Sequence, residues 1–151
     1  MFERKDIAKL KKDIVLDIEL FNSNLKLHTR WGTFSPRALD DGTRLLMKYF
    51  SADIDDVCLD LGCGYGPIGL ALAKHCTRGE VHMVDKDFVA VDLANYNAKL
   101  NNIVNAKAYL SDAFLQVPSD IKFNQIVSNI PAKVGCSKTW RRNYCRYNQW
   151  A

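Results

Sequence analysis

Three glycines at alternate positions, Gly62, Gly64 and Gly66, follow the apolar run Val57 to Leu61 and lead at once into an Ala/Leu-rich segment, 67–73. A strand, a tight turn and a helix are expected there. Glycines in such a turn tolerate its strained dihedrals and let a ligand come close to the backbone. Pro67 fits the first turn of the helix, where its missing N–H costs nothing. The turn can therefore hold a nucleotide-like molecule, and Gly64-Tyr65-Gly66-Pro67-Ile68-Gly69 formally meets the dinucleotide glycine pattern. Asp60, just before the turn, points elsewhere: a carboxylate at the strand end repels a pyrophosphate and suits a cationic amino group. Asp85 stands about 20 residues beyond the glycines, where a carboxylate can accept both hydroxyls of a ribose. Capping the helix that begins near Phe88 is its competing role.

The elements that must position these residues alternate along the chain. Ile14, Leu16, Ile18 and Leu20 alternate with polar positions, as do Leu25, Leu27 and Thr29, and Asn22-Ser23-Asn24 between them is turn chemistry. This predicts an N-terminal hairpin over about residues 12–30, with His28 on its polar face and solvated. A helix follows at Asp40 to Phe50, its aspartates read as N-terminal caps ahead of the competing role of ligands. Strands are expected at Val57–Leu61, Glu80–Asp85, Lys107–Leu110 and Asn124–Ser128, with a helix from Asp87 to about Asn101. His82, on the second of these strands, reads as packing. Strands alternating with helices imply a parallel sheet, whose ligands sit beyond the carboxyl ends of the strands. Asp60 to Gly66, Asp85, Asp112 and Asn129 all fall at those ends.

Composition sets the outer limits. With 151 residues the chain is most simply one domain with a proper core. No apolar run approaches the roughly 20 residues of a membrane span, and Met1 to Asp6 lacks the apolar core of a signal peptide, so a cytoplasmic protein without membrane contact is expected. The five cysteines are odd in number and form no Cys-x-x-Cys pair, which favours free thiols over disulfides or a metal site. The net charge of +4 resides in residues 136–151, which hold Lys138, Arg141, Arg142 and Arg146 and no acid; in residues 1–135, 17 cations meet 17 acids. The folded body is neutral by count.

Leu59-Asp60-Leu61-Gly62-Cys63-Gly64-Tyr65-Gly66, with Asp85, Ser111-Asp112 and Ser128-Asn129-Ile130-Pro131, resembles a class I S-adenosylmethionine-dependent methyltransferase. Phe34-Ser35-Pro36, Asp41-Gly42-Thr43, Gly66-Pro67-Ile68-Gly69, Val84-Asp85 and Gly135 narrow the resemblance to the "small" methyltransferase group that includes ribosomal-RNA guanine 2-amino methyltransferases. The fold this implies is α/β, a Rossmann-like parallel sheet with an N-terminal β-hairpin, lacking the last strands of the seven-stranded methyltransferase fold. Residues 1–135 would form a partial methyltransferase domain, and 136–151 a basic aromatic tail outside it.

The resemblance also implies roles. The backbone of Gly62, Cys63, Gly64 and Gly66 would surround the methionine part of S-adenosylmethionine, with Asp60 holding its ammonium. Asp85 would bind the ribose, and Asp112 the adenine amino group with the amide of Ala113. Asn129, also part of the cofactor's surroundings, would accept a hydrogen bond from the target amine, with the Ile130 carbonyl as second acceptor and Pro131 stiffening the turn. The family's Asn-Pro-Pro-aromatic motif stands here as Asn129-Ile130-Pro131-Ala132. The implied reaction is N-methylation of RNA, ribosomal RNA foremost, with no metal and with a homodimer through an open sheet edge as a further partner. A cofactor-binding module without turnover and an NAD-binding domain are the other readings.

Overall fold

A computed structural model describes residues 12–129 of the protein. Two sheets are present among them: an antiparallel hairpin and a four-stranded parallel sheet of order β5-β4-β3-β6. The hairpin pairs β1 (Ile14–Leu20) with β2 (Ser23–Thr29). Helix α1 (Asp41–Tyr49) comes next, then β3 (Cys58–Leu61), α2 (Pro67–His75), β4 (Val81–Asp85), α3 (Phe88–Leu100), β5 (Ala106–Leu110) and β6 (Gln125–Val127). Each expected strand and helix of residues 12–129 is found. Ile130, Pro131 and the tail 136–151 lie outside the described residues.

The hairpin turn differs from expectation by its position. It is Phe21-Asn22, both left-handed at φ 52° and 58°, while Ser23 and Asn24 already belong to β2. Two residues at positive φ match the right-handed twist of the flanking strands. The strain at Phe21 is offset by packing, since its ring lies edge-on to His75 and Phe50, with centroids 4.8 and 6.2 Å away.

Leu20, Leu25, Leu27 and Thr29 are buried, so one face of the hairpin closes over the α2–α3 side of the parallel sheet. Asn97 of α3 and Asn101, its C-cap, secure the outer edge of β2. Asn101 Oδ1 accepts from the Lys26 amide at 2.9 Å and its Nδ2 donates to the Lys26 carbonyl at 2.8 Å. Asn97 repeats the pattern one turn earlier: Oδ1 accepts from the His28 amide at 2.7 Å and Nδ2 donates to the His28 carbonyl at 2.9 Å. The two amides stand in for a neighbouring strand and satisfy an edge that would otherwise be open. His28 is not simply solvated, because its ring packs edge-on against Tyr96 and pairs with Asp13.

Alternation along β3 serves two cores. Cys58 faces the helices and the hairpin, whereas Leu59 and Leu61 join Val84 on the other face, under Tyr109, Phe114, Val117 and Phe123. His82 is fully buried there as a packing residue, its Nδ1 2.9 Å from the Tyr109 hydroxyl and its ring edge-on to Phe123. Its Nε2 lies 3.3 Å from Glu80 Oε1 but too poorly aligned for a hydrogen bond. Cys58, Cys63 and Cys76 are free thiols. No helix among the described residues is long and apolar enough to cross a membrane.

Candidate cofactor and substrate site

The site forms where the four parallel strands end. Strand β3 gives way to a loop tied to its neighbour: the amides of Gly62 and Cys63 both donate to the Val84 carbonyl, at 2.8 and 2.9 Å. The Gly64 amide donates to Asp85 Oδ2 at 2.9 Å. Gly62, Gly64 and Gly66 all have positive φ, at 77°, 55° and 92°, a backbone path that side chains disfavour. A Cβ on Gly64 would meet no protein atom within 4 Å, so the space beside the loop is open.

Gly66 plays a different part. A Cβ there would stand 3.2 Å from Ala94 Cβ and Leu70 Cδ1, so this glycine lets α2 begin close against α3. It does not line the cavity.

A cavity of about 570 Å³ opens over the loop, in the size range of small-molecule sites. Asp60, Gly62, Cys63, Gly64, Asp85, Asp112, Ala113 and Asn129 line it, which gathers every cofactor residue expected from the sequence except Gly66. Residues to which the sequence assigned no site role line it too: Thr33, Phe34 and Ser35 from the loop after β2, Thr43 at the start of α1, and Asp87; Asp40, read as a cap ahead of a ligand, joins them. Tyr65 ties that first loop down, its hydroxyl donating to the Ser35 carbonyl at 3.4 Å.

Asp60 is 1% exposed and its Oδ2 accepts from the Gly69 amide at 2.8 Å. Burial pushes its carboxyl up to about 7, the Gly69 bond opposing and the Asp85 charge adding to the shift. A cation beside it would reverse that rise. Burial, with Asp60 and Asp85 nearby, also raises the Cys63 thiol well above its ordinary value, so it is no nucleophile.

Asp85 spends its two oxygens on the Gly64 amide and, at 3.0 Å, on the Asp87 amide. The cap of α3 is Asp87, which accepts from the Val89 amide at 2.8 Å, so the competing capping role falls to a different residue. Asp112 is exposed at the mouth, beside Ala113 at φ 51°. Asp40 caps α1 as expected, accepting from the Thr43 amide at 3.0 Å, and the same Oδ2 accepts from Asn129 Nδ2 at 2.8 Å.

Five lining aspartates and one lysine, Lys86, make the cavity acidic. Such a field attracts a cationic ligand that carries hydroxyl and amino donors, and it disfavours a pyrophosphate. No group of three or more His, Cys, Asp or Glu side chains that could hold a metal occurs among the described residues.

A doubly layered parallel sheet with its cavity at the strand ends defines an α/β small-ligand-binding domain of the Rossmann-like class. The chain belongs to the Methyltransferase small domain family, whose model matches residues 24–142. It is 41% identical over 117 residues to the uncharacterised protein YbxB of Bacillus subtilis, covering 77% of this chain and 58% of the relative. It is 32% identical over 140 residues to ribosomal RNA small subunit methyltransferase C of Haemophilus influenzae, covering 93% of this chain and 40% of that enzyme. The chain thus spans about half the length of these curated relatives. Among solved structures it is similar to Trm5b of Pyrococcus abyssi, with a TM-score of 0.57 and 26% identity over 78% of this chain and 33% of that one. The fold is also that of TYW2 from M. jannaschii, crystallised with AdoMet, at a TM-score of 0.53 and 20% identity over 67% of this chain and 45% of that one.

Proposed function

We propose that the chain carries the S-adenosylmethionine cleft of an N-methyltransferase acting on an exocyclic amine of ribosomal RNA, a guanine amine in the form the sequence resemblance implies. One observation carries the reading: Asp60, Gly62, Asp85, Asp112 and Asn129, from the ends of four parallel strands, line one acidic cavity. Family membership and the names of the relatives support methyl transfer and an RNA substrate, and they do not favour a non-catalytic module or an NAD domain.

The residues present fit this cofactor. The buried Asp60, raised by burial, is relieved by an ammonium group; Asp85 at the loop suits a ribose; and Asp112 with the Ala113 amide suits an adenine edge. Bound there, the cofactor supplies an electrophilic methyl group. The chain's own task is then alignment, which can recover about 7–11 kcal/mol of barrier without a strong base. Asn129 Oδ1 would accept the target N–H and turn the amine lone pair toward the methyl, while Ile130 and Pro131, outside the described residues, would complete the turn. The partner is then RNA and the working compartment the cytoplasm. A second copy of the chain, pairing at the side of β6 away from β3, is the protein partner, which size-exclusion chromatography tests.

Methyl transfer from labelled S-adenosylmethionine to undermethylated ribosomal RNA tests the activity. Label in guanine amines is the expected result, and its absence from all RNA would overturn the reading.

A further inference from the structure

We propose that Asp40 and Thr43 are positioning residues that fix the Asn129 amide with its oxygen, not its nitrogen, free for the target; the inference rests on the amine-methylation reading above. Asn129 Nδ2 donates to Asp40 Oδ2 and to Thr43 Oγ1, both at 2.8 Å. An amide nitrogen carries two hydrogens, so these bonds use both of them. A carboxylate oxygen accepts and does not donate. Turning the amide over would therefore set two acceptors 2.8 Å apart at Asp40, which the site cannot relax.

The clamp is also rigid. Asp40 Oδ2 is held at the same time by the Thr43 amide, and Thr43 is only 4% exposed at the start of α1. Between the two, Gly42 keeps the space clear: a Cβ there would lie 2.8 Å from Asp40 Oδ2 and 3.4 Å from Asn129 Oδ1. Asn129 Oδ1 has no hydrogen-bond partner among the described residues, and all three clamp members line the cavity.

A fixed acceptor selects by chemistry. It favours a target atom that bears a hydrogen, an amine, and repels an acceptor such as a carboxylate or a bare ring nitrogen. The helix that precedes the sheet thereby sets the specificity of a residue on its last described strand end.

Thr43→Val removes one acceptor at nearly constant shape. It is expected to lower kcat for RNA methylation about tenfold, the cost of one poorly held hydrogen bond, with affinity for S-adenosylhomocysteine and KM for RNA changed by less than about twofold. Thr43→Ser should restore kcat. Asp40→Ser keeps a helix cap but cannot reach Asn129, and should lower kcat in the same way. A second readout is independent of turnover. In proton–nitrogen NMR the Asn129 side-chain amide protons should exchange slowly with solvent in the unaltered chain and faster in Thr43→Val. Unchanged kcat in both Thr43→Val and Asp40→Ser, no rescue by Thr43→Ser, or free exchange in the unaltered chain overturns the proposal. If the unaltered chain methylates no amine, the functional reading fails, and the exchange measurement alone decides the clamp.

Discussion

The Gly64 amide donates to Asp85 Oδ2 at 2.9 Å, so the carboxylate that ends β4 also holds the loop that ends β3. Asp85 thereby couples the two loops that border the cavity. Removing it, as Asp85→Ala, should weaken S-adenosylhomocysteine binding by about 1–3 kcal/mol, through lost charge-assisted bonds and a loosened loop. Asp85→Asn keeps an acceptor for Gly64, so the loss that persists there reads the proposed ribose contact. Calorimetry measures both, and an unchanged affinity would return Asp85 to a purely structural role.

Asp60 should make both stability and cofactor binding depend on pH near neutrality. Its folded carboxyl stands at about 7 against an ordinary 3.8. Between those values the folded chain holds a proton that the unfolded chain has lost, so stability falls as pH rises from about 4 to about 7 and levels off above. Asp60→Asn should flatten that slope in urea titrations. Binding has the opposite trend, because an ammonium group prefers the ionised carboxylate: affinity should rise with pH through about 7 and become pH-independent in Asp60→Asn. A wild-type affinity that is flat from pH 6 to pH 8 contradicts the assigned contact.

Asn97 is buried completely and, besides the His28 backbone, donates to the Tyr65 carbonyl at 2.9 Å. One side chain therefore joins the hairpin, α3 and the glycine loop. Asn97→Ala should cost about 3 kcal/mol, from three lost bonds and the buried groups left without partners. Urea unfolding reads this directly; a loss under about 0.5 kcal/mol would mean that water replaces the amide at no cost.

How much of this was legible in the sequence depends on the range of each signal. The strand ends were legible because a short apolar run closing on Asp60, Asp85 or Asn129 is a local pattern, and a parallel sheet brings such ends to one edge. The Phe21-Asn22 turn was not, since a phenylalanine at positive φ is stabilised by Phe50 and His75, far along the chain. The ladder of Asn97 in α3 and Asn101 at its cap was hidden, because an asparagine in or ending a helix gives no sign of the strand it will meet. Asp40 shows the limit most clearly. Its capping role is written within three residues, whereas its bond to Asn129 spans 89 positions and exists only once the sheet has formed. Gly66 adds a case of its own: it belongs to the glycine pattern, and the pattern gives no sign that its small size also serves the contact with Ala94.

An S-adenosylmethionine cleft at the strand ends must bind the demethylated cofactor and reject a dinucleotide. Titration calorimetry of the full chain with S-adenosylhomocysteine, with NAD as the comparison, tests it most directly. Saturable one-to-one binding of S-adenosylhomocysteine, weakened by Asp85→Ala, with no binding of NAD, is the expected result. Failure to bind S-adenosylhomocysteine, or binding of NAD in its place, would contradict it.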